Sequence, residues 1–236
     1  MQPKRILLKL SGELLKGPQD HGVEASACLA LAEALKATQE SGIQIGIVIG
    51  GGNIFRGVNS QKLNIHRSPA DHMGMLATMI NGIAIQQSLE SVGCRAHVMS
   101  ALECPKAVEP YNWHRAMEYL NKGEIVVFVG GTGNPYFTTD TAAALRASEI
   151  EADYLLKATK VDGAYDKDPV THSDAKKFST LTYAETLAEN LKVMDPTSIA
   201  LCRSSSIPIL IFNMKLLIEK KLKDFQTIKD QGTLIN

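Results

Sequence analysis

Apolar positions along the chain fall into two alternating patterns. Short runs that are apolar nearly throughout recur at residues 5–10, 43–49, 96–99, 125–129, 154–157 and 207–212, most of them closed by glycine or a polar break, which is the signature of buried strands. Between them lie stretches with helical spacing. Residues 25–40 place Cys28, Leu29, Leu31, Ala32 and Leu35 on one stripe, and residues 73–89 do the same with Met75, Leu76, Met79, Ile80, Ile83 and Ala84. Strands that do not alternate apolar with polar need cover on both faces, and strand–helix alternation supplies it through βαβ crossovers. The pattern therefore predicts an α/β fold: an open, largely parallel sheet sandwiched by helices. No repeat, low-complexity tract or Pro/Ser-rich linker interrupts it, so residues 1–236 read as a single domain. Residues 159–180 carry Asp162, Gly163, Asp166, Asp168 and Pro169 with little apolar content and read as a surface excursion between two halves.

Composition narrows the function. Of 236 residues 44% are apolar and 21% charged, enough for a sizeable core without disulfides or metals. Lys plus Arg and Asp plus Glu number 25 each, and zero net charge argues against a nucleic-acid partner or a membrane-surface protein. Any anion site must be local. Cys28, Cys94, Cys104 and Cys202 lie far apart with no C-x-x-C pair, which argues against zinc or a disulfide framework and for a reducing compartment. The first ten residues lack a signal-peptide pattern and no apolar run approaches the roughly 20 residues of a membrane span, so a cytoplasmic location is expected.

In open α/β sheets ligands sit beyond the carboxyl ends of the strands, and here those ends are rich in glycine. They read Lys9-Leu10-Ser11-Gly12, then Gly50-Gly51-Gly52-Asn53-Ile54-Phe55-Arg56-Gly57, then Gly130-Gly131-Thr132-Gly133-Asn134-Pro135. Such loops let main-chain N–H groups approach an anion, aided by the following helix N-terminus. Glycine spacing at 12–17 and 52–57 matches a Walker loop, but Pro18 and Val58 stand where it needs lysine. The dinucleotide fingerprint fails at Phe55 and Tyr136. Lys9, ending an apolar strand before Ser-Gly, is placed either to hold a phosphate as a point charge or merely to snorkel at the sheet end.

Five motifs then resemble one family, the bacterial uridylate (UMP) kinases of the amino-acid-kinase fold. They are Lys-Arg-Ile-Leu-Leu-Lys-Leu-Ser-Gly-Glu at 4–13, Val-Ile-Gly-Gly-Gly-Asn-Ile-Phe-Arg-Gly at 48–57, Asp-His-Met-Gly-Met-Leu-Ala-Thr at 71–78, Gly-Thr-Gly-Asn-Pro-Tyr-Phe-Thr-Thr-Asp at 131–140 and Lys-Ala-Thr-Lys-Val-Asp-Gly at 157–163. Lys-Val-Met-Asp at 192–195 and Gly-Thr-Leu-Ile at 232–235 extend the match over essentially the whole chain. The third and fourth motifs point to the uridylate branch; the others also echo carboxylate and carbamate kinases.

The resemblance implies ATP-dependent phosphorylation of UMP to UDP by direct in-line transfer, within pyrimidine nucleotide biosynthesis. It implies that Lys9, Leu10, Ser11, Gly12, Gly52 and Arg56 line the ATP phosphates and that Thr159, Tyr165 and Asp168 hold the adenosine end. UMP would bind at Gly51 and Asp71 and along Thr132, Gly133, Asn134, Pro135, Tyr136, Phe137, Thr138 and Thr139. Lys9 and Arg56 are the expected catalytic cations, with Asp195 and Lys157 organising them. The N-terminal half would serve mainly UMP and phosphates, the C-terminal half mainly ATP. No protein metal ligands are expected, since Mg²⁺ would come with ATP through its phosphates. UTP as feedback inhibitor and a homohexameric assembly are implied in the same way.

Several residues keep a second reading. Asp71 and Asp195 also suit helix N-caps, Asp195 before Pro196, and Asp140 suits a helix dipole as well as a substrate contact. Trp113, Met73, Met75 and Met79 read as helix packing or a subunit contact, and His66, Arg67 and the segment around Ser60 as an exposed loop. Gly17-Pro18-Gln19-Asp20-His21-Gly22 departs from the glycine-rich segment tied to GTP activation in relatives, so a muted GTP response is expected. Two competing functions remain open: a carboxylate or carbamate kinase of the same fold, and a regulatory protein that senses UMP or UTP without turnover.

Overall fold

A computed structural model describes residues 2–56, 64–191 and 193–236. Gly57, the segment around Ser60 and Lys192 lie outside the described residues. In chain order the elements are β1 (Arg5–Leu10), a 3-10 turn (Gly12–Lys16), α1 (Ala25–Gln39), β2 (Gln44–Ile49), α2 (Arg67–Ser91), β3 (Ala96–Ser100), β4 (Glu109–Pro110), α3 (Trp113–Asn121), β5 (Ile125–Val129), α4 (Thr139–Glu149), β6 (Tyr154–Thr159) and β7 (Thr180–Leu181). They continue with α5 (Tyr183–Ala188), α6 (Pro196–Ser204), β8 (Ile209–Asn213), α7 (Met214–Ile218), α8 (Phe225–Gln231) and β9 (Thr233–Ile235).

The strands form one sheet in the order β4-β3-β5-β2-β1-β6-β8-β9-β7. Among the described strands every pairing from β4 to β8 is parallel, as is β9 with β7, and β8 with β9 is antiparallel. Because β1 is central, its side chains alternate between two cores. Ile6, Leu8 and Leu10 pack with Leu31 and Leu35 of α1, Met79 and Ile85 of α2, Leu217 of α7 and Ile228 of α8. Leu7 packs on the opposite face with Ala116 of α3, Ala143 and Ala147 of α4, and Ile199 and Cys202 of α6. Lys9 shares that second face. The chain leaves β1 toward β2 on one side and later returns to β6 on the other, so the carboxyl end of β1 is a topological switch point.

Strand positions agree with the apolar pattern to within about two residues, the usual reach of boundary assignment. The helix read as 73–89 begins earlier, at Arg67 with His66 as N-cap, because Pro69 is tolerated in a first turn that needs no apolar face. Arg67 is therefore helical rather than part of an exposed loop, and Asp71 is in the second turn rather than a cap. Asp195 does cap α6, accepting from Ser198 N at 3.0 Å. Met75 and Met79 are buried, whereas Met73, Leu76, Ile80 and Ile83 leave an exposed apolar strip on α2, and Trp113 is exposed at the start of α3 while its indole N–H donates to Glu149 O. Among the described residues no helix is long and apolar enough to cross a membrane.

Candidate active site

Parallel register sets Lys9 of β1 level with Lys157 of β6, so two ammonium groups emerge side by side at the switch point. Like charges that close need an anion between them. Thr138 caps α4, accepting from Asp140 N at 3.0 Å and Thr141 N at 3.3 Å, and so aims Asp140 from the first turn at both lysines. Lys9 Nζ lies 2.7 Å from one carboxylate oxygen and Lys157 Nζ 2.7 Å from the other. Burial works against the Asp140 charge, but Lys9 and Lys157 outweigh it and hold its carboxyl below the ordinary value. Burial lowers Lys157, with Asp140 opposing and Lys9 adding to the shift. Lys157 also donates to Val193 O. Asp195 accepts from Thr138 Oγ1 at 2.6 Å and from Thr141 Oγ1 at 3.0 Å, so it fixes the start of α4, and its charge also acts on Lys157.

The first two glycine loops stand against each other. A Cβ at Gly12 would lie 2.3 Å from Asn53 Oδ1 and 2.4 Å from Gly50 O, so only glycine permits this approach. Buried Asn53 and Asn81 brace the contact. Their amides exchange hydrogen bonds at 3.0 and 2.7 Å, and Asn81 Nδ2 also donates to Gly50 O at 2.8 Å. Neither was singled out in the sequence: Asn53 lies inside the second glycine motif without a role assigned to it, and Asn81 is a lone Asn within α2. Arg56 Nε donates to Gly52 O at 3.1 Å and its guanidinium pairs with Glu13. Glu13 Oε2 also meets Lys160 Nζ at 2.5 Å. That Lys160 bond lowers the Glu13 pKa, partial burial resists, and Arg56 adds to the lowering.

Beside these loops an open cleft is lined by Gly51, Gly52, Asp71, Thr78, Gly131, Phe137 and Thr139, among others. Asp71 Oδ2 accepts from Tyr136 N at 2.7 Å, and the Arg67 guanidinium sits 4.6 Å from the Tyr136 ring centre, tying α2 to the third loop. Thr78 Oγ1 accepts from Gly130 N at 2.8 Å. Of residues 132–139, Phe137 and Thr139 face the cleft. Thr132 and Asn134 bond each other in a local turn, and the Thr138 hydroxyl is committed to its cap and to Asp195.

Across the junction lies a second cavity of about 700 Å³, within the range of about 300–1,000 Å³ common for ligand pockets. Thr159, Tyr165 and Asp168 all line it, with Lys157 in its wall. Its apolar side comes from Val161, Leu191, Val193 and Ile211, which the sequence did not single out. The Tyr165 hydroxyl donates to Asp162 at 2.6 Å, a bond that with some burial pushes its pKa up to about 12. Asp168 Oδ1 accepts from Val170 N at 2.9 Å and shapes the turn. Among the described residues no three His, Cys, Asp or Glu side chains gather to hold a metal.

Comparison with known proteins identifies the family. The model of the amino acid kinase family matches residues 4–213. A uridylate kinase from Protochlamydia amoebophila is 58% identical over 234 residues, covering 99% of this chain and 93% of that protein. One from Magnetococcus marinus is 54% identical over 211 residues, covering 89% of this chain and 88% of the other. Among solved structures, the UMP kinase of Bacillus anthracis superposes with a TM-score of 0.94 at 34% identity, covering 100% of this chain and 97% of its own. The UMP kinase of Ureaplasma parvum gives 0.91 at 36% identity with 100% of both chains covered.

Proposed function

The chain belongs to the amino acid kinase family, and from that premise we propose that it is a UMP kinase transferring the γ-phosphoryl group of ATP in line to UMP, giving UDP and ADP. One observation carries the reading: the Lys9–Asp140–Lys157 cluster stands between a cleft bearing Gly51 and Asp71 and a cavity bearing Thr159, Tyr165 and Asp168. Adenine and ribose fill the cavity against Val161, Leu191 and Ile211, and the phosphates run past Lys157 toward Lys9, Ser11, Gly12, Gly52 and Arg56. UMP lies in the cleft with its phosphate at Gly51 and Gly52. One Asp71 oxygen holds Tyr136 N and the other accepts from the ribose hydroxyls, while the loop from Thr132 to Thr139 closes on the base.

Transfer of this kind needs alignment and charge neutralisation rather than a general base, since the attacking phosphate is already anionic near neutral pH. Lys9 and Arg56 neutralise the moving group. Lys157 and Asp195 act by positioning, the first through Asp140 and the second through the start of α4. Mg²⁺ would arrive with the substrate ATP and supply further neutralisation of its phosphate charge, while the two Asp140 oxygens face Lys9 and Lys157.

On this reading residues 1–236 work as one domain, with UMP and phosphates held mainly by the N-terminal half and ATP by the C-terminal half, in the cytoplasmic synthesis of pyrimidine nucleotides. UTP, which shares base and ribose with UMP, inhibits at the cleft. GTP has little effect, since Pro18 lacks an N–H to offer an effector phosphate. The apolar strip of Met73, Leu76, Ile80 and Ile83 is the face a homohexamer would cover. The test is ADP release with UMP, CMP, dUMP, AMP, acetylglutamate and aspartate as acceptors. Uracil and cytosine reverse their donor and acceptor at N3 and position 4, so fixed main-chain partners near Gly133 and Pro135 should favour UMP by about a thousandfold in kcat/KM. Comparable values for UMP and CMP overturn the assignment.

A further inference from the structure

Two carboxylates at the end of β1 are built alike. Asp140 lies between Lys9 and Lys157, and Glu13 lies between Arg56 and Lys160. The first trio is mostly covered, with side chains 13%, 14% and 15% exposed. The second is graded, since Glu13 is 21% exposed while Arg56 is 55% and Lys160 73% exposed. Its members come from three separate segments: Glu13 from the 3-10 turn after β1, Arg56 from the second glycine loop and Lys160 from just beyond β6, where the Lys160 carbonyl accepts from Asn213 Nδ2 at 3.2 Å. Exposed Lys and Arg side chains otherwise sample many rotamers, with roughly 2 kcal/mol of entropy to lose on ordering. A single carboxylate with one oxygen for each cation restricts both at once. Lys160 is next to a residue of the ATP cavity, and Arg56 is tied to Gly52 of the UMP cleft, so the trio straddles the same boundary as the first.

We propose that Glu13 is a positioning residue for phosphoryl transfer: it collects Arg56 and Lys160 at the phosphate path and competes with the nucleotide phosphates for them. The inference rests on the kinase reading above and adds Glu13 and Lys160 to its machinery. A phosphate chain arriving with more negative charge than Glu13 draws both cations away from it. Their positions are already set, and Glu13 limits how tightly the ground state holds them. Four cations and two carboxylates then surround the path, a net charge of about +2 that matches a highly anionic transition state without trapping the product.

The experiment compares wild type, Glu13→Gln, Glu13→Asp, Lys160→Met and the double variant Glu13→Gln/Lys160→Met. With ATP and UMP, Glu13→Gln should lower kcat about tenfold while KM for UMP stays within about twofold, and Glu13→Asp should recover much of the loss. The melting temperature should move by no more than about 2 °C, as expected for a largely exposed ion pair. The double variant should lose much less than the product of the two single losses, because Glu13 acts through Lys160. Calorimetry without acceptor should show Glu13→Gln binding ATP about twofold or more tighter and Lys160→Met about threefold weaker, with adenosine unchanged in both. A Glu13→Gln enzyme with wild-type turnover and ATP affinity, or fully multiplicative losses in the double variant, overturns the proposal. If wild type does not phosphorylate UMP, the kinase assignment fails separately, and the calorimetric comparison alone decides the role of Glu13.

Discussion

Lys9 is the next-to-last residue of β1, flanked by the buried Leu8 and Leu10, and its ammonium is fixed by Asp140 at 2.7 Å before any substrate arrives. Such preorganised charge counts most where charge develops. Lys9→Ala is therefore expected to cut kcat about a hundredfold, near 3 kcal/mol, with a smaller change in KM for UMP; steady-state kinetics checks this. Asp140 is the counterpart. Removing it leaves two neighbouring ammonium groups without their anion, so Asp140→Asn should cost about 3 kcal/mol at pH 7 in urea unfolding. The carboxyl pKa is lower in the folded protein than its unfolded value. Its stabilisation is thus full above about pH 3.9 and is lost as the pH falls through the folded value. Urea titrations of wild type and Asp140→Asn should converge in strong acid and stay apart at neutral pH.

Elements supply the precision that single residues cannot. The third glycine loop leaves β5 with Gly130 at φ 75°, in the left-handed region, and a Cβ there would lie 2.8 Å from Ser100 Oγ and 2.9 Å from Leu102 N. Gly130→Ala should therefore lower stability by about 1–3 kcal/mol through strain. It should also raise KM for UMP more than KM for ATP, because the Gly130 N–H is held by Thr78 of α2, a residue of the cleft. Thermal melts and kinetics separate the two effects. α4 has a comparable role on the other face, where the Thr138 cap and the Asp195 bond set the angle at which Asp140 meets the lysines.

At the scale of the molecule, the cleft and the cavity open on either side of the β1 switch point and have no lining residue in common. Asp71 belongs to one and Tyr165 to the other. Asp71→Ala should raise KM for UMP about tenfold and leave KM for ATP within about twofold, and Tyr165→Ala should do the reverse. Equal effects of either variant on both substrates would show that the division of labour between the halves is wrong. The same kinetics on a variant at the junction, Lys9→Ala, should change turnover rather than either KM.

The fold class was legible because a central parallel strand is apolar on both faces, and residues 5–10 and 125–129 show that without any tertiary information. The three glycine loops, Lys9 and the polar excursion were legible for a related reason: switch-point chemistry sits in the residues immediately after strands, which are consecutive in sequence. Short edge elements such as β7 and β9, with two and three residues, carry too little pattern to be read. Nor does a linear sequence show that Lys9 and Lys157 share a register, that Asp140 stands between them, or that Glu13 joins Arg56 to Lys160. Those pairings link positions 17 to 148 residues apart, and only the packing of helices and loops against a particular strand order brings such charges within hydrogen-bond distance. The sequence determined the kinds of groups available and the end of the sheet where they gather. The tertiary structure decided which cation each carboxylate holds.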